Sequence, residues 1–474
     1  MPFNSFLFLL GFLPVTVGGY AVICRLGSPW AKVWLIAVSL LFYGVAALGF
    51  LPLLLLSVSG NLLLLRAMSA VDRRGWLAAL GCVLNLVLLG WFKYAQPVLW
   101  QDPVLPLGIS FFTFTQIGCL LSHAGGTDPA PRPATYALFV LFFPALTAGP
   151  ILNPREMLPQ FDRAEGWRLS ADNLAAGAGF FLIGLLKKTL LADPLSGVVA
   201  AGFAAPGALS LLPAWQAAIA WSMQLYFDFS GYSDMAVGLA RMFGIHFPDN
   251  FEQPYCARSV IQYWQRWHMS LTRFLMANIH APLTLAILRR RRTAGLPINQ
   301  AAQQTPAGFL GMVAVPILLT MILAGIWHGP ALTFLLFGLL HVVFLLINHA
   351  WRIWRAPSLA PLLAVALTYL SVLTGAVLFR ADSVADAAAM LSGMAGLHGA
   401  APLSADLHGI VDTLWIIGLY AIIWLVPSTR QWMQGGASRL SWRPTPGWAV
   451  AMGCAATLGL LASGGTGEFV YFHF

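Results

Sequence analysis

The stretch LAGIWHGPALTFLLFGLLH, residues 323–341, sets a histidine between a tryptophan and a Gly-Pro step inside an otherwise apolar run. Apolar residues lead up to His328 over 309–327 and away from it over 331–350. Each flank is long enough for one crossing of a hydrocarbon core about 30 Å thick. An ionisable group at that depth is costly and is usually kept for a function. A second segment, QYWQRWHMSLTRF (262–274), puts His268 in the same Trp-His setting. A lone histidine on an apolar face is more often a satisfied core or interfacial group than a reactive one. Two Trp-His pairs in one apolar chain point to a site.

The rest of the chain matches this reading. Of its 474 residues 59% are apolar and 9% charged, and the mean hydropathy is +0.76. A soluble domain carries about a quarter charged residues. The fold class expected is therefore all-α, a polytopic integral membrane protein. The first residues, MPFNSFLFLLGFLPVTVGGYAVIC, lack a basic start and a small-residue cleavage site and read as a first span. The five cysteines, Cys24, Cys82, Cys119, Cys256 and Cys454, are single and mostly in apolar surroundings, which argues against a disulfide framework or a metal site. The net charge of +9 gathers in short clusters: Arg66, Arg73 and Arg74; Lys187 and Lys188; Arg289 to Arg292; Arg352 and Arg355; Arg430, Arg439 and Arg443. That placement reads as cytoplasmic loops and not as a nucleic-acid face.

Apolar stretches fall near 6–24, 33–65, 76–92, 104–122, 133–152, 172–210, 213–238, 309–327, 331–350, 358–378, 409–426 and 447–463. Two of these exceed one span, with Pro52 and the Asp193-Pro194 step as places to fold back, so about 11–14 membrane segments are expected. No repeat or linker divides the chain, which reads as one domain over 1–474 with its most recognisable core at 104–390. The interval 241–308 is aromatic, basic and alternating, with the character of an amphipathic or re-entrant helix. It is entered from LYFDFSGYSDMAVGLARMFG (225–244), which carries Asp228, Ser230, Tyr232, Ser233 and Asp234 inside an apolar segment. Two carboxylates there need polar partners or a wet cavity.

Pro330 suits a first helical turn, which makes Gly329 an expected N-cap and sets His328 at the N-terminus of the next helix. Such an end would hold the imidazole neutral and able to take a proton. His341 lies 13 residues on, on another face and some 20 Å along the axis, and reads as a contact between helices. His349 reads as a boundary residue. Sidedness puts His268 near the cytoplasmic leaflet and His328 nearer the outer one. No G-x-S-x-G, Walker A loop, H-E-x-x-H or Rossmann fingerprint is present.

Taken together, several segments resemble the membrane-bound O-acyltransferase family, in its bacterial branch that serves alginate and cellulose acetylation. They are PLGISFFTF (106–114), FFPALTAGPILNPREMLPQF (142–161), GLLKKTLLAD (184–193), YFDFSGYSDMAVGLARMFGIHFPDNF (226–251), PYCARSVIQYWQRWHMSL (254–271), WHG (327–329), VLFRADSVADA (377–387) and the final FVYFHF. The chain departs from the family after RWHMSL: Met276 and Ala277 stand where Arg and Asp are usual, and a Gly-Gly pair is missing. The resemblance implies helices around a central tunnel, with re-entrant helices on the cytoplasmic side. It implies a bacterial inner membrane location and His328 and His268 as the catalytic pair. Trp327, Trp267, Arg266, Asp228, Ser233, Asp234, Asn250 and His341 are the tunnel or substrate candidates. It further implies acetyl-coenzyme A as donor substrate with no tightly bound cofactor and no metal. Arg258, Arg266, Arg273 and the Arg289–Arg292 run are the groups expected near its phosphates. The expected partners are a periplasmic or membrane-anchored polysaccharide acetyltransferase, a polysaccharide synthase complex and the lipid bilayer, with no nucleic acid. D-alanyl transfer to an envelope polymer and a transporter relaying protons through the histidines remain alternatives. The charge placement predicts that a reporter fused after Arg292 is active only inside the cell and one near Leu403 only outside. Topology-reporter fusions check this, and the reverse at either position overturns the assigned sidedness.

Overall fold

The structure is a computed structural model. It describes residues 1–71, 74–100, 104–126, 129–163, 166–403, 407–433, 441–443, 445–463 and 469–470. Arg73, Arg439 and the last four residues of FVYFHF lie outside the described residues. Helix accounts for 79% of the described residues, and no strand occurs among them. Eight helices there are long and apolar enough to cross a membrane, and four shorter apolar helices accompany them. With no water in hydrocarbon, each segment has to satisfy its own backbone, which a helix does internally.

Two compact units emerge. One holds residues 1–190, 228–249 and the chain from Thr429; the other holds 191–227 and 250–428. In the first unit the long apolar run Ser28–Ser69 breaks where Ala47 leaves helical geometry (φ −153°, ψ 53°), giving Ser28–Ala47 and Leu51–Ser69 around the step before Pro52. A buried aromatic nucleus of Phe3, Phe8, Phe42, Phe142 and Phe143 fills this unit.

The helix Ala171–Leu186 meets the C-terminal half of the 32-residue helix Leu211–Met242 at two glycine pairs. A Cβ on Gly177 would come within 2.6 Å of the Gly238 carbonyl oxygen, and one on Gly184 within 2.4 Å of the Gly231 oxygen. Small residues let backbones approach in this way, and van der Waals contact is a main force between helices in lipid. Next to that contact Lys187 pairs with Asp234 at 2.7 Å and Lys188 with Asp228 at 2.8 Å. This corrects the sequence expectation for the two lysines. They continue an apolar helix instead of occupying a cytoplasmic loop, because two carboxylates on the facing helix compensate them.

The second unit carries a 25-residue helix, Met269–Thr293, within the interval read as an amphipathic or re-entrant helix. Its most apolar window is only 11% buried, so most of its surface faces the surroundings. Pro306–His328 and Leu332–Ile353 follow it and pack on each other through Gly325 and Gly338.

Gly231→Ala and Gly60→Ala are expected to act in opposite directions. The first forces a methyl group to within 2.7 Å of the Gly184 carbonyl oxygen, whereas the second meets nothing within 4 Å. Overpacking costs about 1–3 kcal/mol, while an unopposed Gly→Ala in a helix gains up to about 1 kcal/mol. Thermal midpoints in detergent check this: Gly231→Ala falls and Gly60→Ala holds or rises.

Candidate active site

His328 is the last residue of the helix Val315–His328, and Gly329 is its C-cap with extended backbone (φ 171°, ψ 175°). The next helix, Leu332–Ile353, starts after Ala331 as N-cap. The expected N-terminal placement of His328 is therefore wrong. The Gly-Pro step ends one helix before it allows the next, and the helix-N-terminus argument does not apply to this ring. Gly329 itself has no room for a side chain, since a Cβ would meet the Phe334 ring at 2.6 Å.

The ring of His328 is 4% exposed and enclosed by aromatics. Trp327 stands edge-on at 4.8 Å, Phe379 at 4.9 Å, Phe337 at 6.1 Å and Phe334 at 6.2 Å between centroids. Phe337 also contacts His341 at 4.7 Å, so His341 lies one ring away from His328. The axial count of 20 Å overlooked that the chain reverses at Gly329–Pro330. His341 still behaves as a contact between helices: its Nδ1 accepts a hydrogen bond from Trp264 Nε1 at 3.3 Å.

His268 reaches the same group. Its ring lies 6.2 Å from that of Trp327, so both histidines contact the same indole. The expected separation across the two leaflets is thus overturned. Met269–Thr293 carries His268 at one end and the arginine run at the other, and Pro306–His328 leads from the arginine end back to that depth. Arg273 and Arg289 stand 16 residues apart, about 24 Å along the helix at 1.5 Å per residue, so they do not form one phosphate site.

Asn250 fixes His268. Its Oδ1 accepts from Ser270 N at 3.1 Å and Ser270 Oγ at 2.9 Å and lies 3.1 Å from His268 Nδ1. Because the Ser270 amide can only donate, the Asn250 atom is the carbonyl oxygen, and His268 Nδ1 must carry the proton. Nε2 is then the accepting nitrogen. The Asn250 carbonyl also takes Met269 N at 2.9 Å. These bonds hold His268 in the left-handed region (φ 42°, ψ 52°), which a non-glycine residue occupies only when its surroundings enforce it.

Trp267 packs against Phe251 at 5.0 Å and against Tyr263 at 5.7 Å, and Tyr263 in turn stacks on His341 at 6.4 Å. Arg266 is half-buried and its carbonyl caps Glu252 N at 3.0 Å. Asp228, Ser233 and Asp234 belong to the first unit, where the two carboxylates serve the lysine pairs. Asp234 also accepts from Thr429 at 2.7 Å and Asp228 from Val470 N at 2.9 Å. A separate cavity of about 570 Å³ in that unit is lined by Ser122, His123, Arg132, Arg155 and Asp162 among others. Sequence reading missed Phe334, Phe337 and Phe379. The first two were legible, for Phe334, Phe337 and His341 recur at helical spacing on one face. No group of three or more His, Cys, Asp or Glu able to hold a metal occurs among the described residues.

Residues 109–295 match the family described as MBOAT, membrane-bound O-acyltransferase family. A peptidoglycan O-acetyltransferase of Helicobacter pylori is 34% identical over 444 residues, covering 84% of this chain and 80% of that protein. The chain belongs to the membrane-bound O-acyltransferase family. A probable alginate O-acetylase AlgI of Pseudomonas aeruginosa is 34% identical over 406 residues, with 81% and 73% covered. A teichoic acid D-alanyltransferase of Bacillus subtilis is 27% identical over 281 residues, with 58% and 68% covered. The protein is thus a multi-pass membrane O-acyltransferase, and the transporter alternative is set aside.

Asn250→Ala is expected to cut acyl transfer about 100-fold, since small misplacements of a reacting group cost that much. Asn250→Asp keeps an accepting oxygen and retains more activity. Transfer assays on membranes at matched protein levels check the order, and equal activity in both variants would sink the positioning role.

Proposed function

We propose that this acyltransferase moves an acetyl group from cytosolic acetyl-coenzyme A across the bacterial inner membrane, along a tunnel, for O-acetylation of an envelope or extracellular polysaccharide. The acetyl group is supported by the names of the peptidoglycan and alginate relatives. The observation that carries the chemistry is two buried histidines meeting on one indole, that of Trp327. His328 acts as general base on the acceptor hydroxyl, and His268, held by Asn250, shapes the donor-side cavity beside it. The hydroxyl oxygen attacks the acetyl carbonyl, the carbon–sulfur bond breaks, and the proton taken by His328 passes to the departing thiolate. The surrounding aromatic rings keep water from competing for the thioester. The acceptor is carried by a periplasmic or membrane-anchored acetyltransferase partner working beside the polysaccharide synthase.

Membrane vesicles given labelled acetyl-coenzyme A test this. The wild-type chain is expected to release coenzyme A and pass label to the partner or the glycan. General-base catalysis contributes about 10²–10⁴-fold, so His328→Ala should lose at least about 100-fold while still accumulating in the membrane. His328→Asn should fail equally, because an amide cannot take the proton. His268→Ala should keep partial turnover. Near-normal transfer by His328→Ala refutes the assignment of the base, and label passed only from a D-alanyl donor refutes the acetyl group.

A further inference from the structure

Between Gln253 and Ala381 the chain carries ten arginines and not one lysine, aspartate or glutamate. Six of the ten gather at the ends of two helices. Arg289, Arg290, Arg291 and Arg292 close Ala281–Thr293, while Arg352 and Arg355 stand at and just beyond the end of Leu332–Ile353. All but Arg291 are exposed, and none of the six takes part in an ion pair among the described residues.

The two ends form one platform. Trp354 Nε1 donates to the Gln304 carbonyl at 3.1 Å, and Gln304 Nε2 donates back to the Ile353 carbonyl at 3.1 Å. Phe309 packs on Trp354 at 5.1 Å. Arg291 ties the intervening turn by donating from Nε and Nη2 to the Pro297 carbonyl at 3.3 and 3.1 Å. Trp351 and Trp354 remain 41% and 50% exposed at the same level.

Two explanations that need no ligand fall short in magnitude. A helix C-terminus carries roughly half a negative charge, so two ends offset about one of the six positive charges. Setting topology is served equally by lysine, yet the stretch uses arginine alone. Arginine differs by its planar fork of donors, which matches phosphate oxygens in pairs. The helix that brings four of the six is also the least buried of the candidate spans, so the cluster ends a surface that faces lipid. Indoles at headgroup depth, an apolar outward surface and unpaired guanidiniums suit a phosphodiester headgroup with acyl chains beneath it.

We propose that this arginine platform is a binding surface for anionic phospholipid, of the phosphatidylglycerol or cardiolipin kind. It lies at the end of the helices opposite His268 and His328 and is separate from the acyl-transfer chemistry.

The experiment uses the full chain purified with native lipid and returned to nanodiscs of phosphatidylcholine containing a minor share of phosphatidylglycerol or cardiolipin. Lipids retained after detergent washing are counted by native mass spectrometry. One basic residue near an anionic surface contributes roughly fivefold, so the wild type should retain the anionic lipid at least about tenfold over phosphatidylcholine, and less in high salt. The variant R289Q/R290Q/R292Q/R352Q/R355Q should lose that preference. The matching arginine-to-lysine variant keeps charge and topology but lacks the paired donors, so it should insert normally and retain an intermediate preference, which guards against a misinserted glutamine variant. Equal retention of both lipids by the wild type overturns the proposal. So does an unchanged preference in the glutamine variant, displacement of the lipid by coenzyme A or inorganic phosphate, or release of the lipid by an acidic soluble protein.

Discussion

Inside hydrocarbon no water stands in for a missing partner, so every polar group there has to find one on the chain. Asn250 is where this constraint bears on the chemistry. One side-chain oxygen serves Ser270 twice and lies against the His268 ring, while the Asn250 main-chain oxygen receives Met269. Those bonds set the backbone at His268 in a left-handed conformation, choose which ring nitrogen carries the proton, and thereby leave Nε2 as the accepting nitrogen. The same rule in the first unit joins Lys187 and Lys188 to Asp234 and Asp228. Removing one member of such a pair would leave the other charge buried and uncompensated.

Backbone geometry then brings the second histidine to the first. Gly329 ends the helix of His328 in extended conformation, Pro330 follows, and the chain returns along itself. The return works because Gly325 and Gly338 allow close approach, with a Cβ on Gly325 only 2.5 Å from the Phe334 carbonyl oxygen. A row of Phe334, Phe337 and His341 is thereby turned toward His328. The result is an aromatic enclosure around a ring that, on the mechanism proposed above, exchanges a proton, a combination suited to strong electrostatic effects in a dry site.

Much of this was legible in the residues. The composition, the break near Pro52 and the two Trp-His pairs identified an all-helical membrane protein and its histidines. What failed did so for stated reasons. His328 was placed at a helix start because Pro330 fits a first turn, but Gly329 stops the preceding helix first. Lys187 and Lys188 looked like loop charges because the aspartates that compensate them lie some 40 residues further on, on the facing helix. Asp228 and Asp234 were read as needing polar partners or a wet cavity, and the two lysines are such partners. The role of Asn250 needed three dimensions, since its donors are about 20 residues away on a turn that no periodicity predicts.

The common depth of the two histidines also narrows the direction of transfer. If the arginine ends of Met269–Thr293 and Leu332–Ile353 face the cytoplasm, as the positive-inside rule has it, both histidines lie toward the opposite leaflet. On the reading proposed above, it is then the donor's thioester that must travel through the membrane, because coenzyme A has a long, thin pantetheine arm and a polysaccharide has nothing comparable. The acceptor hydroxyl needs only a short reach from outside. A catalyst placed midway would require both substrates to enter hydrocarbon, and a bulky hydrated glycan would lose more solvation on entry than a thioester on an apolar arm. Putting both histidines near the acceptor's side confines the desolvation to the partner that tolerates it.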